Sequence, residues 1–125
     1  MVWDIRERTF QFAVSTIAAC NHVQSGRTAD IVLRQLIRSA TSVGANVEEG
    51  SGAQSRPDFA RKLTIALGEA REACYWMRLV KESHWAAPAV IEPLLDEGRQ
   101  IARILGAIIS TLRGTRKGIA TQRRW

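Results

Sequence analysis

Four runs of apolar residues, spaced three and four positions apart, occupy almost the whole chain, and that period points to amphipathic helix. The first run, Asp4 to Val23, carries Ile5, Phe10, Phe12, Ala13, Ile17 and Cys20 near one side. Gln24-Ser25-Gly26-Arg27 breaks it. Thr28 is placed to cap the next helix, with Asp30 in its first turn, where the helix dipole favours an anion. The second run, Ala29 to Glu49, sets Leu33, Leu36, Ala40, Val43 and Val47 on a core-facing stripe. A polar flank runs beside it: Ser39, Ser42, Asn46 and Glu49, with Gly44 and Ala45 keeping the same stretch slim. Gly50 is expected to be the C-cap of this helix, and Gly52 to belong to the turn.

The third run has a clear start. Ser55-Arg56-Pro57-Asp58 fits a capping box, with serine at the cap, aspartate three residues on and proline in the first turn. Phe59, Leu63, Ala66, Leu67, Ala70, Cys74 and Met77 then form a stripe that lasts to about Glu82, and His84 to Pro88 closes the run. The fourth run carries Ile91, Leu94, Leu95, Gly98, Ile101, Leu105, Ile108 and Leu112. Its glycines, Gly98 and Gly106, each cost about 1 kcal/mol of helix propensity against alanine, and close approach of a neighbouring helix is one reason to tolerate them. Four such helices joined by short loops predict an all-α, up-down-up-down antiparallel four-helix bundle. The expected helices are at about 4–23, 29–49, 56–83 and 88–113, within a single bundle domain over residues 1–112.

Charge divides the chain differently. The net charge is +6, but residues 113–125 alone carry Arg113, Arg116, Lys117, Arg123 and Arg124 with no acid. Without those five, 13 bases face 12 acids, so the body is nearly neutral and the basic character belongs to a C-terminal tail. No apolar run reaches the roughly 20 residues that span a bilayer, and MVWDIRERTF has no apolar core of a signal peptide. Cys20 and Cys74 lie far apart in helical patterns, as buried thiols of a reducing compartment do. A cytoplasmic protein without membrane attachment is expected.

No enzyme class assembles from these residues. A di-iron bundle needs Glu-x-x-His on two helices, and Glu69-x-x-Glu72 is followed by no histidine. His22 and His84 fall at helix ends, so neither a metal site nor a positioned catalytic base is expected. Gly50-Ser51-Gly52 precedes a helix but lacks the strand before and the Gly-Lys-Ser/Thr after that a phosphate loop requires. Glu48 and Glu49 are adjacent, point about 100° apart on a helix, and are not an acid/base pair. No cofactor is implied.

Those two glutamates sit at a helix C-terminus, where the dipole disfavours them, so cations are expected nearby. Arg56, Arg61, Lys62 and Arg71 of the third helix are candidates. On that helix Arg71, Tyr75 and Arg78 share one face, while Glu69, Glu72 and Trp76 form the adjacent one. Either this is an ordinary solvated face or it is an aromatic-lined surface for subunit contact. The tail likewise has two readings, a solubilising terminus or the electrostatic footprint of nucleic-acid binding, with Trp125 available to stack on a base.

The run from Arg34 to Val80 resembles the four-helix-bundle family of 23S rRNA intervening-sequence proteins. The likeness rests on Arg-Ser-Ala-x-Ser-Val-x-Ala-Asn-x-x-Glu-Gly, then Ser-x-x-Asp-Phe, then Ala-Leu-Gly-Glu-Ala-Arg-Glu and Tyr-Trp. The resemblance implies a left-handed antiparallel bundle that assembles as a homopentamer, in a family for which no enzymatic activity is established. A more distant relative is the accessory variability determinant of diversity-generating retroelements, a basic pentamer that binds a reverse transcriptase and nucleic acid. Asn46, Glu49, Glu69, Arg71, Glu72, Tyr75 and Trp76 match recurring polar positions of the family, and with Glu48 they read as structural or interfacial. The expected function is a non-enzymatic oligomer that binds RNA or DNA through its basic tail and surface. The alternative is an interaction adaptor, such as an accessory subunit of a reverse transcriptase or another nucleic-acid enzyme.

Overall fold

A computed structural model describes residues 2–114, with side chains from Ile5 onward; the tail residues Arg116, Lys117, Arg123, Arg124 and Trp125 lie outside the described residues. The described residues form four α-helices in chain order: α1 Val2–Cys20, α2 Arg27–Ser51, α3 Arg56–Glu82 and α4 Pro88–Leu112. Each packs on its chain neighbour, and α1 closes the ring against α4. The α1–α2 and α3–α4 loops meet at one end, where the Gln24 N–H donates to the Trp85 carbonyl at 2.8 Å. The α2–α3 turn lies at the other. The helices therefore alternate in direction, as a four-helix bundle with short loops requires.

The ends of the helices show which local signals decide them. Ser55 caps α3 through its side chain, accepting from the Asp58 N–H at 3.2 Å, as the capping box predicts. Helix α2 departs from expectation at both ends. Its N-cap is Gly26 at φ 154°, one residue ahead of Arg27, so Thr28 lies inside the first turn. It runs on through Gly50 and is capped by Gly52, whose N–H donates to the Glu49 carbonyl, while the Ala53 N–H donates to that of Gly50. Gly50 is instead a contact residue: a Cβ there would stand 3.1 Å from both Phe59 Cδ1 and Lys62 Cβ. Helix α1 stops at Cys20 rather than Val23.

Helix α3 ends in a Schellman motif. The Trp85 N–H donates to the Val80 carbonyl and the His84 N–H to the Lys81 carbonyl, which places His84 at φ 60° in the left-handed region.

The core follows the expected stripes of α2, α3 and α4 closely. Leu36, Val43 and Val47 meet Phe59, Leu63 and Met77, with Ile91, Ile101 and Leu105 completing the layers. Ser39, expected on the polar flank, is fully buried and returns its hydroxyl to the Gln35 carbonyl at 3.0 Å. Helix α1 differs more. Its buried face is Ile5, Thr9, Phe12 and Thr16, and the threonines are satisfied by donating to the Ile5 and Phe12 carbonyls at 2.7 and 2.8 Å. Phe10 and Ile17, expected toward the core, are 58% and 49% exposed. With Val14 they form a separate apolar stripe about 140° around the helix from the buried face.

Of the two glycines of α4, only Gly98 serves close approach. A Cβ there would stand 2.8 Å from Cys74 Sγ and 3.3 Å from Phe12 Cζ, whereas one at Gly106 would meet nothing within 4 Å.

Candidate functional site

The polar residues singled out from the sequence are not one cluster. The structure distributes them over three seams and one groove. At the α1–α2 seam, Gly44 lets the helices close on the Thr9 backbone, with its Cβ position 3.3 Å from the Thr9 carbonyl oxygen. One turn further along α2, Arg6 forks onto Glu48 with donor distances of 3.2 and 3.0 Å. That hydrogen bond and charge hold the Glu48 carboxyl below the usual glutamate range. The cation that α2 needed for Glu48 thus comes from α1, not from α3. Asn46 is half-buried, and its Nδ2 donates to the Ser42 carbonyl of its own helix at 2.8 Å.

At the α2–α3 turn, Lys62 Nζ donates to Glu49 at 2.6 Å, as the expected supply of cations from α3 requires. The pair lowers the Glu49 carboxyl in the same way. Further along the α2–α3 flank, one guanidinium serves two acids. Arg38 donates to both oxygens of Glu69 at 3.4 and 3.3 Å and also to Glu72. Trp76 Nε1 donates to the same Glu72 oxygen at 3.0 Å. The Glu72 carboxyl is pulled below its ordinary range first by the Trp76 bond and then by Arg38. Glu69, Glu72 and Trp76 therefore do share a face, and it is a ligated one.

The α1–α4 seam carries an ion pair that sequence reasoning missed. Arg8 forks onto Glu97 at 2.7 and 2.8 Å and reaches Gln100 Oε1 at 2.8 Å. Its partners are 89 and 92 positions away, so no local pattern reports them.

Arg71 and Tyr75 belong elsewhere. With Arg78 they line the flank of α3 that faces α4, and across from them stand Arg99 and Arg103. Together they border an open groove of roughly 500 Å³ whose lining includes Cys74, Ala102 and Gly106 and no acid. None of the four arginines forms an ion pair or hydrogen bond among the described residues. Several acids of both helices are engaged elsewhere: Glu69 and Glu72 by Arg38, Glu97 by Arg8, and Glu92 by Lys81 at 3.4 Å. Asp96 accepts from Gln100 Nε2 at 2.7 Å, while Glu82 stands one turn beyond Arg78, outside the groove lining. Burial raises the Cys74 thiol above its usual range, with Arg99 acting in the opposite direction. Tyr75 is 52% exposed, and its ring stands 5.1 Å from that of Trp76 in an edge-on arrangement.

Arg99 and Arg103 were not identified from the sequence, although one signal marks them. After Glu97 the chain has no acid at all, so the basic stretch begins on α4, well before the tail. Arg113 stands where that helix ends, and its Nη2 donates to Thr64 Oγ1 of α3 at 3.1 Å. Among the described residues no group of three or more His, Cys, Asp or Glu side chains is placed to hold a metal ion. No helix of these residues is long and apolar enough to cross a membrane.

Comparison with known proteins agrees with this architecture. No curated protein matches the chain. Among solved structures, a protein of unknown function from the S23 ribosomal protein family of Bacteroides thetaiotaomicron is similar, with 32% sequence identity and a TM-score of 0.78. The match covers 84% of this chain and 97% of that one. The profile of the 23S rRNA-intervening sequence proteins matches residues 2–107, which takes in α1, α2, α3 and most of α4. The chain belongs to the 23S rRNA-intervening sequence protein family.

Proposed function

We propose that this chain is a non-enzymatic, self-associating nucleic-acid-binding protein of the cytoplasm, with RNA its favoured partner. One observation carries the reading: from Gly98 to Trp125 the chain has seven bases and no acid. Such a stretch neutralises phosphates and releases their counterions, and binding of this kind needs no catalytic group. The family name, with its reference to ribosomal RNA, supports RNA over other polyanions.

Self-association is the second part of the proposal, as the homopentamer that the family resemblance implies. The outward stripe of Phe10, Val14 and Ile17 supports it. These residues stand one and two turns apart on α1, so they offer a continuous apolar ridge to a second copy. Five copies would present the basic stretch five times, and avidity would multiply a weak single contact.

Both parts are open to measurement. Fluorescence anisotropy of a labelled single-stranded RNA should show log affinity falling with log salt. If Arg113, Arg116, Lys117, Arg123 and Arg124 each meet one phosphate, they contribute a slope near −3.5. Deleting residues 115–125 removes four of those cations and should flatten the slope by about 2.8. Absence of salt-dependent binding by the full chain would discard the nucleic-acid reading. Mass photometry checks assembly: a monomer at micromolar concentration contradicts it, and Phe10→Glu with Ile17→Glu should dissociate the oligomer without unfolding α1. An accessory-protein role becomes the better account if the chain captures a protein partner whose binding survives nuclease.

A further inference from the structure

We propose that the α3–α4 groove is a binding site for the phosphate backbone of single-stranded nucleic acid, with Arg71, Arg78, Arg99 and Arg103 as the phosphate ligands and Tyr75 as a base-stacking platform. The inference rests on the nucleic-acid reading above and gives that activity a place on the folded body, separate from the tail.

The first argument is electrostatic. The body as a whole carries nearly equal numbers of acids and bases, yet four arginines line one groove without an acid among them. At the other seams arginines are anchored, Arg6 by Glu48, Arg8 by Glu97, and Arg38 by Glu69 and Glu72, whereas Arg27, Arg34, Arg56 and Arg61 have no ion pair among the described residues but do not line the groove. The groove arginines have no such partners among the described residues. Four like charges along one trough repel one another, and an anionic ligand relieves that repulsion. Guanidinium is suited to the task, because its planar fork meets phosphate oxygens in a bidentate way.

The second argument is geometric. Arg71, Tyr75 and Arg78 fall at i, i+4 and i+7 on α3, while Arg99, Arg103 and Gly106 fall at the same intervals on α4. The two rows flank the trough over two helical turns, about 10 Å along each axis. A backbone laid in the trough meets cations on both sides. Ala102 and Gly106 keep the wall low on the α4 side. Gly106 serves no helix contact, since a Cβ there would face open space, so its absent side chain leaves room for a ligand.

The third argument selects a single strand over a duplex or an acidic protein. Tyr75 presents half of its surface to solvent at the groove, braced edge-on by Trp76. An unpaired base can stack on that ring, whereas a paired base cannot leave its own stack without cost. The named lining offers no amide or carboxylate to read a base edge, so recognition is of the backbone and the ring and tolerates any sequence. Beyond the groove on the same two helices, Arg113 at the end of α4 donates to Thr64 of α3 and adds a further cation along that flank.

The test measures anisotropy of a labelled 20-nucleotide oligouridylate against the full chain across a salt series. The variant Arg71→Gln/Arg78→Gln/Arg99→Gln/Arg103→Gln should flatten the salt slope by about 2.8, which is about 0.7 for each lost single-strand contact. Tyr75→Ala should weaken binding roughly 5- to 150-fold at a nearly unchanged slope, since stacking releases few ions. The chain lacking residues 115–125 should keep a slope of about −3.5, from the four groove arginines and Arg113. If the fourfold variant does not fold, Gly106→Glu replaces it, because that side chain enters open space and places a carboxylate in the trough.

Wild-type affinity and slope in the fourfold variant, or total loss of binding on tail deletion, would overturn the groove and leave the nucleic-acid reading standing. No binding by the intact chain would overturn both. Polyglutamate that competes as well as RNA at equal charge, with Tyr75→Ala silent, would reassign the groove to an acidic protein.

Discussion

Helix α3 has two flanks of opposite design. Toward α2, Glu69 and Glu72 are gripped by Arg38, and Trp76 donates its indole N–H into the same carboxylate. Toward α4, Arg71 and Arg78 face Arg99 and Arg103 with no acid in the groove lining. The residue types are similar on both flanks, and so is their helical spacing. The difference is whether opposite charges are mixed or segregated. Mixed charge saturates its hydrogen bonds within the fold and closes the seam. Segregated charge leaves the fold with donors to offer and makes the seam a surface for something outside it.

The closed seam gives the largest expected effect when broken. Phe59 is fully buried at its turn end and lies against Gly50. Phe59→Ala should cost about 3–5 kcal/mol, because it removes a large transfer term and leaves a cavity that two helices cannot easily fill. Urea denaturation would measure it, and a loss below about 1 kcal/mol would mean that this seam is looser than its geometry.

A smaller effect is expected where the α3–α4 pair is tightest, beneath the groove. Gly98→Val forces new carbon against Cys74 Sγ and Phe12, so it should destabilise by about 1–3 kcal/mol. Combining it with Cys74→Ala should recover part of the loss, since the nearest obstacle is that sulfur. Full additivity of the two changes would show that the contact does not limit helix approach.

How much of this was legible depends on how local each cause is. The Ser55 cap and the stripes of α2, α3 and α4 follow from residues within a few turns of one another, and the structure keeps them. Helix α1 misled because its core face is half threonine. Thr9 and Thr16 donate to their own helix and pass as core residues, while the more apolar Phe10 and Ile17 face outward. Gly26 and Gly52, rather than Thr28 and Gly50, cap α2, because Gly50 is needed against Phe59. Ion pairs between helices, such as Arg6–Glu48 and Arg8–Glu97, depend on register that no single segment contains. The groove was hidden by summation. Thirteen bases against 12 acids look neutral until α3 and α4 are laid side by side and four arginines line one groove without an acid among them.

Gly106 and Gly98 sharpen the comparison within a single helix. Gly106→Ala meets no atom, so it should return the helix propensity that glycine forfeits and stabilise by about 1 kcal/mol. A rise of several degrees in thermal melting is the expected outcome. A fall would mean that the glycine holds a contact in the assembled protein that the single chain does not contain.

The smallest effect separates the two flanks by their response to acid. Glu72 titrates below its ordinary range in the folded chain because it accepts from Trp76 and Arg38. A carboxyl of that kind contributes stability that is fully present above its unfolded value, about 4.3, and is lost as pH falls through the lower folded value. Glu48 and Glu49 shift the same way for the same reason, but they are exposed and solvent screening leaves them a minor share. Melting temperature should therefore hold steady from pH 8 to about 5 and decline below the carboxylate range, and Glu72→Gln should lessen that decline. The arginine flank has no group that titrates in this window, so oligonucleotide binding at fixed salt should stay level between pH 5 and about 8 while the chain is folded. If binding instead followed a titration near neutrality, a histidine or thiol would have to take part. Cys74 lies in the groove, but burial raises its thiol away from neutrality, so a histidine would be the group to seek.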